Sequence, residues 1–245
     1  MSVVTLGGLT GGGGRLLGPK LAERLGSDYV DRLILTDAAR HIGATVEALD
    51  QREQRPPTRG ERFSALVQRI LERSAVTDVG GDPYFGPAPM AFLTQEFEEL
   101  PRRPITRGLE LEDEKYIEAM RIVMTSLADQ DHVVIVGRGG AAILRDRPGV
   151  LRVGAVARLE DRIARIMERD RVDHDRAAQI VSERDEARAL YHKRYFGIDN
   201  ADDPNLYHIV LNTSDLDMDY ACDLVVQASE AMDEGRLARK AGVAL

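Results

Sequence analysis

A single cysteine, Cys222, stands in the 245 residues. One cysteine rules out an intrachain disulfide and any cysteine-rich zinc site. Within Ala-Cys-Asp-Leu-Val-Val it reads as a small core residue rather than a nucleophile. No apolar run approaches the roughly 18 residues a membrane span needs, and 30% of the residues are charged. The segment MSVVTLGGLT has neither a basic region nor a long apolar core, so it does not read as a secretion signal. A cytoplasmic protein with no membrane partner is therefore expected. There is no excess of positive charge either: the formal net charge is −8, which disfavours nucleic acid as the main partner. The five histidines, at 41, 132, 174, 192 and 208, show no metal-ligand spacing. No catalytic triad and no internal repeat can be picked out. A small-molecule partner fits best, and a homo-oligomer stays open.

What is present is an alternation of strands and helices. Residues 3–6 (VVTL) form a short apolar run that ends in glycines, the pattern of a buried strand. Leu16, Leu17, Leu21 and Leu25 follow at near-helical spacing and stop at Gly26. Pro19 is tolerable there only in the helix's first turn. Residues 28–35 begin as a second strand, and 36–50 and 61–74 read as helices separated by a polar, proline-containing linker at 51–60. Residues 76–92, rich in glycine and proline, are a long loop, either a disordered one or a lid or contact segment around Tyr84–Phe92. Further on come a strong helix at 111–128 and a strand at His132–Val136. A short helix, a strand at Val150–Val156 and a long charged helical region at 159–195 follow. The last elements are a strand at Tyr207–Leu211 and a helix at Leu216–Glu234. Such alternation implies an α/β fold with a mostly parallel sheet flanked by helices.

The chemistry concentrates where the first strand meets the first helix. Six of the eight residues 7–14 are glycine. Glycines there let the backbone come close to a ligand, and successive N–H groups beside the positive end of a helix can hold a phosphate. A dinucleotide fingerprint needs glycines at i, i+2 and i+5, and either frame ends on Leu16 or Leu17. The triphosphate loop G-x-x-x-x-G-K-[ST] fits Gly8 and Gly13, but Gly14 occupies the lysine position and Arg15 the next. Arg15 either supplies charge to the phosphates or points to solvent.

With GLTGGGGR at 8–15, VVIVGRGGAAIL at 133–144 and SERDEAR at 182–188, the chain resembles the cytidylate-kinase-like family of P-loop kinases. The resemblance covers 1–50, 111–196 and 205–228 and fades over 51–110. Relatives commonly read G-S-G-G-R where this chain has Gly11 to Arg15, so the missing lysine looks like a family trait. The resemblance implies a P-loop NTPase three-layer sandwich with a helical lid, as one domain over 1–235. A variable flap at 51–110, lid helices at 158–196 and a tail at 236–245 complete it. It also implies ATP and Mg²⁺ as cofactors and phosphoryl transfer to a nucleoside monophosphate or another small phosphorylated compound. Gly8, Gly11, Gly12, Gly13, Gly14, Arg15 and Leu16 would hold the donor.

The resemblance assigns the remaining site residues. Gly137-Arg138 match the family's G-R-D segment, with Gly139 in place of the acid, so Arg138 would bind the acceptor phosphate or else form a structural salt bridge. Asp31 in YVDR matches an aspartate near the metal and acceptor, and its other reading is a helix cap. Arg32 would contact the acceptor. Arg158, Arg162, Arg165 and Arg169 lie three or four apart on one helical face. Arg184, Asp185 and Arg188 form a second cluster resembling the family's R-D-x-x-R segment. Arg15, Arg162 and Arg184 would stabilise charge on the transferred group, while Asp185 and Arg188 would meet the acceptor. Asp131 is a second metal candidate, and half of the arginines suit a merely solvated helix. Asn212-Thr213-Ser214 resembles a segment near the adenine, and capping of the last helix is its preferred role. Two rival readings stand beside this one. One is a nucleotide-binding or regulatory protein that keeps the fold without turnover. The other is an interaction module using the flap.

Overall fold

The computed structural model describes residues 3–31, Leu35 and 107–237. Five strands form one sheet: β1 (Val3–Gly8), β2 (Asp28–Val30), β3 (Val133–Val136), β4 (Val150–Val156) and β5 (Ile209–Asn212). Their order is β2-β3-β1-β4-β5, and every pairing is parallel. The β1–β4 ladder runs from Val3 opposite Val150 to Gly8 opposite Ala155. Because alternate side chains of a strand face opposite sides, β1 feeds two cores. Val3 joins Val30, Ile135 and Val150 against Met120, Val123, Met124 and Leu127 of α2 (Arg107–Asp129). Val4 and Leu6 join Val134, Leu151 and Val153 against Leu17, Leu21 and Leu25 of α1 (Gly14–Leu25). Val225 of α6 (Met218–Asp233) completes that second layer. Helix, sheet and helix are thus stacked in three layers. Strands buried on both faces need continuous apolar runs, and VVTL and VVIV supply them.

The short α3 (Gly140–Ile143) follows β3. Two helices then stand apart from the sheet: α4 (Leu159–Asp170) and α5 (His174–Phe196). They carry a small core of their own, with Ile163 and Ile166 against Ala177, Ile180 and Val181. Asp173 caps α5 by accepting the Arg176 N–H, and Gly197, left-handed at φ 65°, ends it. This is the helical pair expected over 158–196, split where Arg171 adopts φ 55°.

Three local expectations change. Pro19 sits in the second turn of α1, which starts at Gly14, so the Arg15 carbonyl loses its intrahelical donor. The burial of Leu17, Leu21, Ala22 and Leu25 offsets a cost of about 3 kcal/mol. The last strand starts at Ile209, because Tyr207 closes a 3₁₀ turn (Pro204–Leu206) and turns its ring onto the sheet. Asp217, not Asn212-Thr213-Ser214, caps α6, accepting from the N–H groups of Asp219 and Tyr220. Arg32, the helices expected at 36–50 and 61–74, and the 76–92 loop lie outside the described residues. Among the described residues no helix is long and apolar enough to cross a membrane.

Candidate active site

The strand order puts β1 between β3 and β4, and a crevice opens beyond their carboxyl ends. The glycine loop occupies it. At Gly8, φ is 120° and a Cβ would lie 2.0 Å from the Ala155 carbonyl oxygen. At Gly12 a Cβ would lie 2.4 Å from the same oxygen, so the loop is pressed against β4. Gly14 differs: a Cβ there meets nothing nearer than 3.9 Å. The residue in the lysine position is thus not a glycine by packing.

The loop is held by its carbonyls. Arg162 Nη1 donates to the Thr10 carbonyl at 3.4 Å, Arg165 Nη1 to that of Gly11 at 2.9 Å, and Thr213 Oγ1 to that of Gly12 at 2.8 Å. Gly12 N–H closes an internal turn onto Leu9 O at 2.8 Å, and Thr10 N–H donates to Asp185 Oδ1 at 2.9 Å. Among the described residues the N–H groups of Gly11, Gly13, Gly14 and Arg15 find no protein acceptor. Three of these belong to Gly13, the helix cap, and the first two residues of α1, where the helix dipole is positive. The backbone is tied down on its carbonyl side and open on its amide side, which is what an anion requires.

Those ties come from the lid helices and from the β5 end. Arg162 and Asp185 form an ion pair between α4 and α5, and Arg162 is 8% exposed. Arg165 also donates to the Thr213 hydroxyl and carbonyl, both at 2.8 Å. Neither Arg162 nor Asp185 lines the crevice. They meet the loop rather than the space in front of it.

The crevice itself encloses about 620 Å³. Seven arginines line it (Arg15, Arg138, Arg165, Arg169, Arg171, Arg184 and Arg188) against two carboxylates, Asp31 and Glu168. In a chain of net charge −8, that is a concentrated positive field. Arg169 pairs with Asp170 at 2.5 Å, and Arg184 reaches the same carboxylate at 3.6 Å. Burial pushes Asp170 up, but Arg169, with Arg184 and Arg15 behind it, holds its carboxyl below the ordinary range. Burial, and then the neighbouring charge of Arg169, pushes Arg184 down to about 10. One carboxylate therefore serves a crowd of guanidinium groups, and an incoming anion relieves their repulsion. The Arg15 side chain makes no hydrogen bond or ion pair among the described residues.

Across the crevice, Gly137, Arg138 and Gly139 are all left-handed, with φ of 84°, 50° and 73°. An arginine in that region costs roughly 1–2 kcal/mol, and such strain collects at functional sites. Tyr191 Oη donates to the Arg138 carbonyl at 3.3 Å. A Cβ at Gly139 would lie 2.6 Å from the Phe196 ring, so the ring occupies the space an aspartate would need. Arg188 lines the crevice, but its guanidinium is spent on the Ala201 carbonyl at 2.9 Å and on Asp202. Asp31, 7% exposed, lies just past β2 and lines the crevice. Its carbonyl accepts the Leu35 N–H at 3.0 Å.

The structure therefore brings Gly8, Gly11 to Leu16, Asp31, Arg138, Arg184 and Arg188 to one crevice. Arg162 and Asp185 stand behind it. Asp131 precedes β3, at the opposite end of the strand from the crevice, and Arg158 lies at the exposed start of α4 on Asp161 and Asp215. Sequence reasoning missed Asp170, His192 and Tyr207. Tyr207 covers Gly7 and Gly154, where a Cβ would approach its ring to 3.0 Å and 2.9 Å. A glycine inside a strand is the one available signal, since it marks close approach by another group.

The model of the cytidylate kinase-like family matches residues 3–215. No curated protein matches the sequence. Among solved structures, an uncharacterized protein from Eubacterium ventriosum ATCC 27560 is 18% identical with a TM-score of 0.56, over 94% of this chain and 99% of that one. A shikimate kinase from Bacteroides thetaiotaomicron is 15% identical with a TM-score of 0.44, over 95% and 98% of the two chains. TT1252 from Thermus thermophilus is 16% identical with a TM-score of 0.44, over 94% and 97%.

Proposed function

The chain belongs to the cytidylate kinase-like family, and on that premise we propose that it is an ATP- and Mg²⁺-dependent phosphotransferase acting on a small phosphorylated acceptor of nucleoside monophosphate type. The carrying observation is the crevice itself, which faces four unengaged loop amides with seven arginines. A triphosphate fits the cradle because its side-chain-free residues leave the amides bare and Arg15 stands beside them. Mg²⁺ fits less directly. Among the described residues no three acidic, histidine or cysteine side chains cluster. Asp31 offers one buried carboxylate, and Mg²⁺ on nucleotides needs only one or two besides phosphate oxygens and water.

In this reading the loop amides and Arg15 bind the donor phosphates, and Arg138 binds the acceptor phosphate. Asp31 orients the metal's water or the attacking oxygen. Arg169 and Arg184 place fixed positive charge where it develops in transfer, with no reorganisation at the moment of reaction. Excluding water and aligning the two phosphates supplies the rest.

Calorimetry with ATP–Mg²⁺, followed by a turnover screen over AMP, CMP, GMP and UMP, tests the proposal. Tight ATP binding without turnover on any acceptor would favour a regulatory nucleotide-binding protein, for which Gly14 and Gly139 speak. No ATP binding at all would sink both readings.

A further inference from the structure

One crevice residue has no part in the reading above. His192, on the last turns of α5, lines the crevice and is 8% exposed. Its Nδ1 lies 2.9 Å from the Arg188 carbonyl oxygen. A carbonyl can only accept, so Nδ1 carries the proton and donates. In the neutral ring Nε2 then presents a lone pair. No described residue bonds Nε2, and it is not among the sealed polar atoms that lack a partner. The residue lines the crevice. The ring plane is fixed by edge contacts with Tyr191 and Phe196, each with centroids within 5.8 Å. The Tyr191 hydroxyl in turn ties this turn of α5 to the Arg138 carbonyl. Burial holds the imidazole below its ordinary value, which favours the neutral form at pH 7. Seven arginines line the same crevice, and a guanidinium only donates.

We propose that His192 is a specificity-determining residue whose Nε2 accepts a hydrogen bond from an O–H or N–H group of the phosphorylated acceptor. The inference rests on the phosphotransferase reading. It adds that the acceptor carries a neutral donor within reach of its phosphate, as a sugar or base does and inorganic phosphate does not. Arginines can hold the phosphate but cannot read such a donor, so a neutral acceptor gives the site discrimination that charge alone lacks.

The test uses ¹⁵N-histidine-labelled protein with AMP, CMP, GMP and UMP as probes, together with steady-state kinetics. For an acceptor that is turned over, the Nε2 resonance should shift toward the hydrogen-bonded range on addition, and inorganic phosphate should leave it unmoved. His192→Asn keeps an N–H for the Arg188 carbonyl and deletes the Nε2 position. It should raise the acceptor KM about tenfold, the loss of one hydrogen bond, while the ATP KM changes less than about twofold. His192→Gln, which returns a polar group near Nε2, should recover part of that loss. A turned-over acceptor that leaves the Nε2 resonance unmoved, or an unchanged acceptor KM in His192→Asn, overturns the inference while phosphoryl transfer stands. Failure of the wild-type protein to phosphorylate any of the four overturns both.

Discussion

Part of the tie between lid and loop runs through one carboxylate, that of Asp185. Asp185 sends one carboxylate oxygen to the Thr10 N–H and the other to Arg162, which also donates to the Thr10 carbonyl. The side chains are 10% exposed for Arg162 and 22% for Asp185. Removing one partner of a fully buried pair costs about 3–5 kcal/mol. The partial exposure of Asp185 lowers that to about 2–3, and the orphaned Thr10 N–H adds about 1, since the two losses overlap. Asp185→Ala should therefore destabilise by about 3 kcal/mol, a fall in Tm of about 6–12 °C for a domain of this size. Asp185→Asn keeps an oxygen for Thr10 and should lose about half as much. Arg162→Met leaves a buried carboxylate and should cost a similar amount, yet the double mutant should lose less than the sum by about 1–3 kcal/mol. Thermal and urea unfolding of the four proteins supplies the cycle. Additive losses, or an Asp185→Ala protein melting within about 2 °C of wild type, would show that the pair does not anchor the lid to the loop.

Three other outcomes follow from the same geometry. Gly139→Asp, which restores the acid of the family's pattern, should lower stability by about 2–4 kcal/mol, through the left-handed φ and overlap with Phe196. It should gain no CMP affinity, and Phe196→Ala in the same chain should return part of the stability; a wild-type Tm for Gly139→Asp would refute the overlap. A Cβ added at Gly14 meets nothing nearer than 3.9 Å, so Gly14→Lys should change unfolding by less than about 0.5 kcal/mol and calorimetry should show ATP binding about tenfold tighter. Weaker binding would count against phosphates at the loop. Stability should also fall with pH around the ordinary histidine value. Burial depresses the folded pKa of His192, and the Arg188 and Asp202 charges are its main ionic neighbours. The unfolded chain then takes up the proton first, so stability is full above roughly pH 6.5 and is lost as the pH falls toward the folded value. His208, also depressed by burial, acts in the same direction. Tm measured from pH 8 to 5.5 should decline less in His192→Asn; identical profiles would refute the assignment.

The layer arrangement was legible because buried parallel strands and amphipathic helices write themselves in apolar spacing, as VVTL, VVIV and the Leu17–Leu21–Leu25 row do. The loop's place at the end of β1 was legible for the same reason. What escaped is whatever depends on partners far apart in the chain. Thr213 sits 201 residues from Gly12, and Asp185 sits 175 from Thr10, so no local pattern marks either as a loop ligand. The helical row Arg158, Arg162, Arg165 and Arg169 was visible, but its members divide by depth rather than by spacing. Arg158 stays exposed on surface acids, Arg162 is buried on Asp185, Arg165 grips two carbonyls, and Arg169 faces the crevice with Asp170. Pro19 misled because packing of one helix face outweighs a lost helical bond.

The absent lysine then takes on a different meaning. A lysine at the head of α1 would bring its charge from the loop itself, wherever the lid stands. Here Gly14 leaves that position bare, and Arg15 is the one cation the loop contributes to the crevice. Arg165, Arg169 and Arg184 all arrive from α4 and α5. Those helices are bonded directly to the loop through Arg162, Arg165 and Asp185. Positive charge over the cradle thus depends on how the lid helices dock. The docking contacts hold two loop carbonyls through Arg162 and Arg165 and one amide, that of Thr10, through Asp185, leaving the amides of Gly11, Gly13, Gly14 and Arg15 open. Loop geometry and charge placement are coupled through three side chains. A substitution in the Arg162–Asp185 pair should for that reason disturb both together, whereas a lysine-bearing loop could lose its lid contacts and still keep its cation.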